Sequence, residues 1–187
     1  MKKFLAVVLI PVLAGCLTSK APPVSYWSIE YKGPAASAPS PKYGVVRSLP
    51  IAVRAPYNVR SITVLRTDGS VAFDPLNEFS ASPAQLVKGA LTDALAASGL
   101  FKDVVETSSI ATSDVSVEVT VDRLALDCRQ EDQRTAVAEI VMKILKGHAI
   151  LASLKGTGAA DAADGNYGAA FSTALSSAFV MALEQFR

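Results

Sequence analysis

The chain has 187 residues, half of them hydrophobic and 19% charged, which suits one folded domain and excludes a disordered polar chain. The formal net charge is +1, and it falls to about −1 when the two lysines next to Met1 are left out. Since no basic excess remains to neutralise phosphates, the composition argues against a nucleic-acid partner.

The first fifteen residues have the organisation of a bacterial signal peptide. Two lysines are followed by an apolar run over residues 4–13, which is too short to span a bilayer because a span needs about 20 residues. The run ends in Leu13-Ala14-Gly15-Cys16. This tetrad resembles the lipobox of bacterial lipoproteins, in which the leader is removed and the cysteine carries lipid. We therefore expect a signal peptide over residues 1–15 and a lipid on Cys16; the alternative is an ordinary secretory signal with an incidental cysteine.

The residues that follow Cys16 predict the location of the anchor. Leu17 stands where an aspartate would resemble an inner-membrane retention signal, so by analogy the anchor lies in the outer membrane and the protein faces the periplasm. Residues 16–25 include two adjacent prolines and have no apolar periodicity, which indicates a tether of up to about 30 Å. If Cys16 carries lipid, Cys128 has no partner for an internal disulfide, and we interpret it as a small buried side chain.

Residues 26–187 are expected to form a single domain that begins with strands. Residues 26–31 favour a first strand, residues 33–42 with their prolines a loop, and residues 49–54 a second strand. An Asp-Gly pair lies between two β-favouring runs, residues 61–66 and 70–73. This arrangement predicts a hairpin.

Two segments have helical spacing. Residues 82–85 read Ser-Pro-Ala-Gln, which joins a capping serine, a proline suited to the first helical position and a glutamine three residues after the cap. The apolar stripe that follows includes Leu91 and Leu95 and ends near Gly99. A second stripe over residues 167–186 predicts a closing amphipathic helix.

The segment between these helices alternates in polarity. Valines at every second position from Val115 to Val121 predict a half-buried strand that continues to Leu126. Residues 135–145 predict its partner strand, with a helix as the competing interpretation. A short strand over residues 149–154 and a glycine-rich loop over residues 156–168 follow. The element order predicts an α+β fold, with a single mixed, mostly antiparallel sheet and two amphipathic helices packed on one face.

The sequence contains no recognisable catalytic or metal-binding grouping. His148 is the only histidine, so neither a metal site nor a serine nucleophile has the partners that it needs. The Gly156-Thr157-Gly158 segment lacks the lysine of a phosphate loop, and the neighbouring acids Glu131 and Asp132 fall in a predicted polar turn. We expect no cofactor and no metal, and a binding or scaffolding protein rather than an enzyme.

Several short motifs taken in order resemble the auxiliary lipoproteins of ABC-type transport systems, the family that accompanies Mce-type lipid transporters. A Tyr-Tyr-x-Leu-like strand of that family corresponds to Tyr26-Trp27-Ser28-Ile29. The other corresponding features are Ile51-Ala52-Val53, Tyr57, the strand that ends at Arg66, Phe73, Asn77-Glu78-Phe79 and the proline-led helix at Pro83. The chain departs from the family where Phe79 replaces the more usual tryptophan and where the first motif ends in isoleucine.

The resemblance implies a periplasm-facing lipoprotein that acts as a docking or adaptor component of an ABC system moving lipid or another hydrophobic cargo. Its expected partners are a Mce-type or other periplasmic transporter component and the membrane that holds the anchor; a homo-oligomer is a further option. Tyr26, Trp27 and Tyr31 are the candidate contact residues because aromatic rings with polar tips suit interfaces, although aromatic residues of a first strand also suit a core.

Two other functions stay open. One is a lipoprotein regulator or scaffold of an envelope-building or secretion complex. The other is a lipid-binding shuttle with its own cavity, for which a single sheet with two helices leaves little room.

Overall fold

A computed structural model describes residues 22–35, 40–130 and 132–187 of the chain. The predicted signal peptide, Cys16 and most of the tether lie outside these residues. The elements are β1 Ser25–Trp27, β2 Tyr43–Ser48, β3 Ala52–Val53, β4 Ser61–Arg66, β5 Val71–Phe79, α1 Pro83–Ala97, β6 Phe101–Glu106, β7 Val115–Cys128, β8 Thr135–Lys146, β9 Ala149–Asp161 and α2 Tyr167–Glu184.

The sheet is built around β7, which has 14 residues. On one side β7 pairs antiparallel with β8, and β8 pairs antiparallel with β9. On the other side β2, β3 and β4 lie one after another along β7, all parallel to it. Beyond them, β6 lies beside β2, while β5 and then β1 lie beside β4. The two long antiparallel ladders contain most of the paired residues, so the predicted mixed, mostly antiparallel sheet is confirmed.

Both helices pack on one face of this sheet, as predicted, and they contact each other. The helix α1 begins with the capping arrangement expected from the sequence, since the Ser82 side chain accepts from the Gln85 N–H and the Gln85 side chain accepts from the Ser82 N–H. The core between helices and sheet is apolar and closely packed, and its largest fully buried members include Phe79, Phe171, Phe179, Ile62, Leu91, Leu95 and Leu124. Within the described ranges, neither helix has the length and hydrophobicity needed to cross a membrane.

The strand β9 corrects one prediction. Residues 156–161 continue the strand, where the sequence predicted a loop from residue 156 onward. The glycines have a different role there, because a Cβ at Gly156 or Gly158 would collide with the carbonyl oxygens of Ala178 and Ala174 in α2. Glycine in this strand therefore allows the helix to approach closely, which is one of the positional uses of glycine in sheets.

The first third of the chain differs from prediction as well. The strands β2 and β6 were not predicted, and the predicted strand over residues 49–54 is reduced to β3. The predicted first strand ends at Trp27, after which Ile29 enters the core at 4% exposure. The backbone N–H groups of Glu30 and Lys32 donate to the hydroxyls of Ser172 and Ser176 in α2, so this segment lies along a helix instead of continuing in the sheet.

Residues 135–145, for which a helix was the competing interpretation, form the predicted strand.

Candidate docking surface

The sheet has an inner face, which packs on the helices, and an outer face on the opposite side. Strand register assigns residues to the two faces, since residues directly opposite each other on neighbouring strands share a face. Ile62 and Phe79 belong to the core and therefore lie on the inner face. Leu65 and Ala125 are buried but do not belong to that core cluster, consistent with their outer-face positions.

Tyr26 lies on the outer face at the β1 edge of the sheet. It is opposite Glu78 of β5, which is itself opposite Ser61 of β4. Its side chain is 60% exposed. The Arg60 guanidinium carbon lies 5.5 Å from the centroid of the Tyr26 ring, and an Arg60 nitrogen lies 3.7 Å from a Glu78 carboxylate oxygen. The ring is thus held by a cation–π contact at an exposed site.

Two more apolar side chains extend this surface. Phe73 is opposite Thr63 and Val71 is opposite Leu65, which places both on the outer face in line with Ser61. Phe73 is 51% exposed and Val71 is 45% exposed. We call Tyr26, Val71 and Phe73 together the Tyr26 surface. Exposed neighbouring large apolar side chains are the feature that marks contact sites in soluble domains.

The three aromatic residues predicted as contact residues, Tyr26, Trp27 and Tyr31, have different environments in the structure. Trp27 lies toward α2, with its ring centroid 5.7 Å from that of Tyr167 and its Nε1 donating to Asn77 Oδ1 at 2.9 Å. Tyr31 is half-buried, its hydroxyl donates to the Pro34 carbonyl at 3.2 Å, and burial raises the pKa of its phenol. Of the three, only Tyr26 presents most of its side chain to solvent.

Val71 and Phe73 were not predicted as contact residues. Their two-residue spacing in a predicted strand places them on a common face, and this spacing could have identified them as one surface. It does not say which face, because that depends on how β5 is paired with β4.

Two of the remaining polar candidates, Asp132 and His148, lie at opposite ends of β8. His148 is exposed in the turn between β8 and β9, and Asp132 is exposed with a φ of 64°. Glu131 lies outside the described residues. Cys128 ends β7 half-buried, and burial raises the pKa of its thiol, which favours the protonated form. In the described part of the chain, no group of three histidine, cysteine or acidic side chains is suited to a metal ion.

The volumes of three grooves can be compared with that of a small-molecule site. The groove beside Tyr31, Val180 and Leu183 has a volume of about 240 Å³, below the roughly 300 Å³ at which small-molecule sites begin. A groove of about 480 Å³ is lined by polar and small residues including Asp132, Gln133 and Thr135. A third groove, of about 360 Å³, includes Pro34, Val180 and Met181 but also the charged Lys32 and Glu184. The first groove is too small for an acyl chain, the second is too polar, and the third combines apolar with charged side chains.

Comparisons with known proteins bear on the fold. No family model matches the chain, and no curated protein matches it in sequence. The crystal structure of XCC0632 from Xanthomonas campestris, described under the family model DUF330, is 18% identical with a TM-score of 0.70, covering 87% of this chain and 98% of that one. The crystal structure of a protein described as uncharacterized is 10% identical with a TM-score of 0.64, covering 89% of this chain and 100% of that one.

A weaker likeness is to a PelC dodecamer from Paraburkholderia phytofirmans, with 13% identity and a TM-score of 0.45 over 80% of this chain and 94% of that one. The described residues form an α+β fold with both helices on one face of the sheet and exposed aromatic and aliphatic side chains on the other. At 18% identity, the likeness to the Xanthomonas protein is a likeness of fold.

Proposed function

We propose that the protein is a lipid-anchored auxiliary component of an ABC-type, Mce-like transport system that moves lipid or another hydrophobic cargo across the periplasm. In this role it is a docking adaptor and has no enzymatic turnover. The observation that carries the proposal is the outer face of the sheet, which lies opposite the two helices and presents side chains of β8 and β9 such as Lys143 and Ser153.

The proposed anchor is a lipid on Cys16 in the outer membrane, with the domain on the periplasmic side. Cys16 and Ser25, where β1 begins, are nine residues apart in the sequence. Such a segment reaches at most about 30 Å when extended. The domain therefore works close to the membrane, where a component that connects a membrane with a transporter is needed.

An adaptor role fits the side-chain chemistry of the described residues. The exposed position of His148 in a turn leaves it without the oriented neighbours that a general base requires. Replacing His148 with alanine is expected to leave both folding and envelope function unchanged. A folded His148→Ala protein that has lost function in cells would contradict the adaptor role.

Two measurements test the proposal directly. Wild-type protein should incorporate labelled palmitate in cells, while Cys16→Ser should not; absence of label from the wild type would refute the anchor. A photo-crosslinking residue at Lys143 or Ser153, neighbours on the outer face, should then link the protein to a periplasmic subunit of a transporter. Ile110, fully exposed in a loop, serves as the control position.

The identity of the linked protein separates the candidate functions. A transporter subunit supports the proposal. A cell-wall synthase or a secretion subunit would instead support a regulator or scaffold. Equal labelling from Ile110 and the outer-face positions would show no specific docking and would overturn the adaptor role.

A further inference from the structure

Exposed large apolar side chains are concentrated at one edge of the described structure. Of the ten that the described residues present, six belong to β1, β4, β5 and the segments next to them. They are Val24, Tyr26, Val59, Val71, Phe73 and Leu76. We call this group the β1 edge.

The β1 edge is also where the predicted tether ends. The strand β1 begins at Ser25 and occupies the end of the strand order β1, β5, β4, β7, with β8 and β9 continuing on the other side of β7. Since neighbouring strands are about 4.8 Å apart, β9 lies about 24 Å across the sheet from β1. The β1 edge can therefore meet the bilayer with a slack tether, whereas β9 could meet it only with the tether stretched over most of its reach of about 30 Å.

We propose that the β1 edge, through the Tyr26 surface, rests on the lipid surface that holds the anchor. This inference depends on the lipid at Cys16 that forms part of the proposed function. It adds an orientation in which the domain stands on its β1 edge, so that β8 and β9 lie farther from the bilayer, where a partner can reach them.

The chemistry of the β1 edge fits a membrane interface. Tyrosine suits the headgroup level because its apolar ring carries a polar hydroxyl, and phenylalanine and valine add apolar area. The charges nearby are mixed in sign: Arg60 and Arg66 are basic, and Asp68, Asp74 and Glu78 are acidic. Contact should therefore depend on apolar burial and should not need anionic lipid.

A modest apolar surface is enough for this purpose. A domain tethered to the bilayer meets it at an effective concentration in about the millimolar range, so contacts too weak to recruit a free protein still hold an anchored one in place. A protein partner between the β1 edge and the bilayer would have to be accommodated within the tether's reach of about 30 Å, and a folded domain, with a radius of gyration of about 13 Å, would use up most of it. The geometry therefore favours lipid over protein as the occupant.

The test uses lipidated mature protein reconstituted into phosphatidylcholine vesicles, with or without bromine on the acyl chains. In a Trp27→Phe background, single tryptophans are placed by Phe73→Trp and by Leu151→Trp. Phe73 is 51% exposed and Leu151 is 46% exposed, but Leu151 lies in β9 at the far side of the sheet, which makes it a matched control. Brominated lipid should quench Phe73→Trp several-fold more than Leu151→Trp.

Further variants keep the test decisive. Tyr26→Trp in the same background should also be quenched, and circular dichroism checks that each variant is folded. If Trp27→Phe does not fold, the same substitutions are made with Trp27 retained, and quenching is read as the difference from wild type.

The outcomes separate the two proposals. Protein that floats with vesicles but shows equal quenching at Phe73→Trp and Leu151→Trp would overturn the orientation and leave the anchor intact. In that case a photo-crosslinking residue at Phe73 that links a protein in cells would identify a protein occupant of the Tyr26 surface. Wild-type protein that does not float with vesicles would overturn the anchor, and the orientation with it.

Discussion

Phe73 and Phe79 belong to one strand, β5, yet they have opposite environments. Phe79 is 1% exposed and packs edge-to-face against Phe171 of α2, with 5.2 Å between ring centroids. Phe73 is 51% exposed on the outer face. Six residues apart in a regular strand, the two rings would share a face, because side chains alternate with a period of two.

The reversal takes place between the two phenylalanines. The pairing of β5 with β4 shifts register between Ser61 and Thr63, so that Glu78 and Phe73 both fall on the outer face. Asp74 stabilises the irregular segment, since its Oδ1 accepts from the N–H groups of Leu76 and Asn77, and its Oδ2 accepts from Asn77 Nδ2. A bulge that re-aims side chains is a known device of edge regions, and here it turns one ring inward and the other outward.

The largest expected contrast comes from truncating each ring. Phe79→Ala should lower the free energy of unfolding by about 3–5 kcal/mol, because it opens a cavity in the core beside Phe171. Phe73→Ala should change it by no more than about 0.5 kcal/mol, since the ring is half-exposed on the surface. Urea unfolding of both variants measures the difference. Similar losses for both would show that the two faces are equally packed.

Leu91→Ala extends the comparison to the helix that covers the inner face. Leu91 is fully buried in α1 at 0% exposure, so its truncation should cost about 2–5 kcal/mol. Lys88, on the same helix and paired with Glu106 on the surface, provides the control, since Lys88→Ala should cost about 1 kcal/mol or less. If Leu91→Ala melted at the same temperature as wild type, α1 would not contribute to the core.

Asp74→Ala tests the cause of the reversal. Loss of a carboxylate that accepts three hydrogen bonds in the bulge should cost about 1–2 kcal/mol, since part of the segment is exposed to water. Asp74→Asn keeps one oxygen acceptor and should cost less. Faster amide hydrogen exchange at Leu76 and Asn77 in the alanine variant is the specific readout, and unchanged exchange there would contradict a role for Asp74 in the bulge.

The smallest expected effect concerns an ion pair on the outer face. Arg129 binds Asp127 through two nitrogens, with Nη2 to Oδ2 at 2.6 Å and Nε to Oδ1 at 2.9 Å, and this hydrogen bonding lowers the pKa of Asp127 below its usual value. A lowered folded-state pKa stabilises the fold above the unfolded pKa of about 3.9, and this contribution is lost as the pH falls through the folded-state value. Because Arg129 is half-exposed, the contribution should be about 0.2–1 kcal/mol.

Asp127→Asn is the matching variant for this ion pair. It should be slightly less stable than wild type at neutral pH, and the difference should shrink on acidification below about pH 4. Thermal melts of both proteins between neutral and strongly acidic pH measure this. A stability difference that grows as the pH falls would have the wrong sign and would exclude the proposed contribution of Asp127.

Local signals in the sequence were sufficient where a segment's structure depends on its own residues. The capping serine and glutamine predicted the start of α1 because they bond to backbone groups within four residues. The alternating valines predicted β7, and the Asp-Gly pair predicted the β4–β5 hairpin, where Gly69 has a φ of 80°. These features also fixed the α+β class, because their order leaves few ways to cover one sheet face with two helices.

Pairing between distant segments decided the rest. The strand β2 forms because it pairs with β7, and β6 forms because it pairs with β2; neither short sequence contains a signal for these pairings. Gly156 and Gly158 resemble a loop in the sequence but lie in a strand because β9 pairs with β8, and α2 approaches so closely that no Cβ would fit there. The candidate surface follows the same rule: the sequence supplied the aromatic residues, while the register of β5 on β4 determined that Phe73 and Tyr26 face outward and that Phe79 and Trp27 face inward, since shifting the pairing by one residue exchanges the faces of a strand.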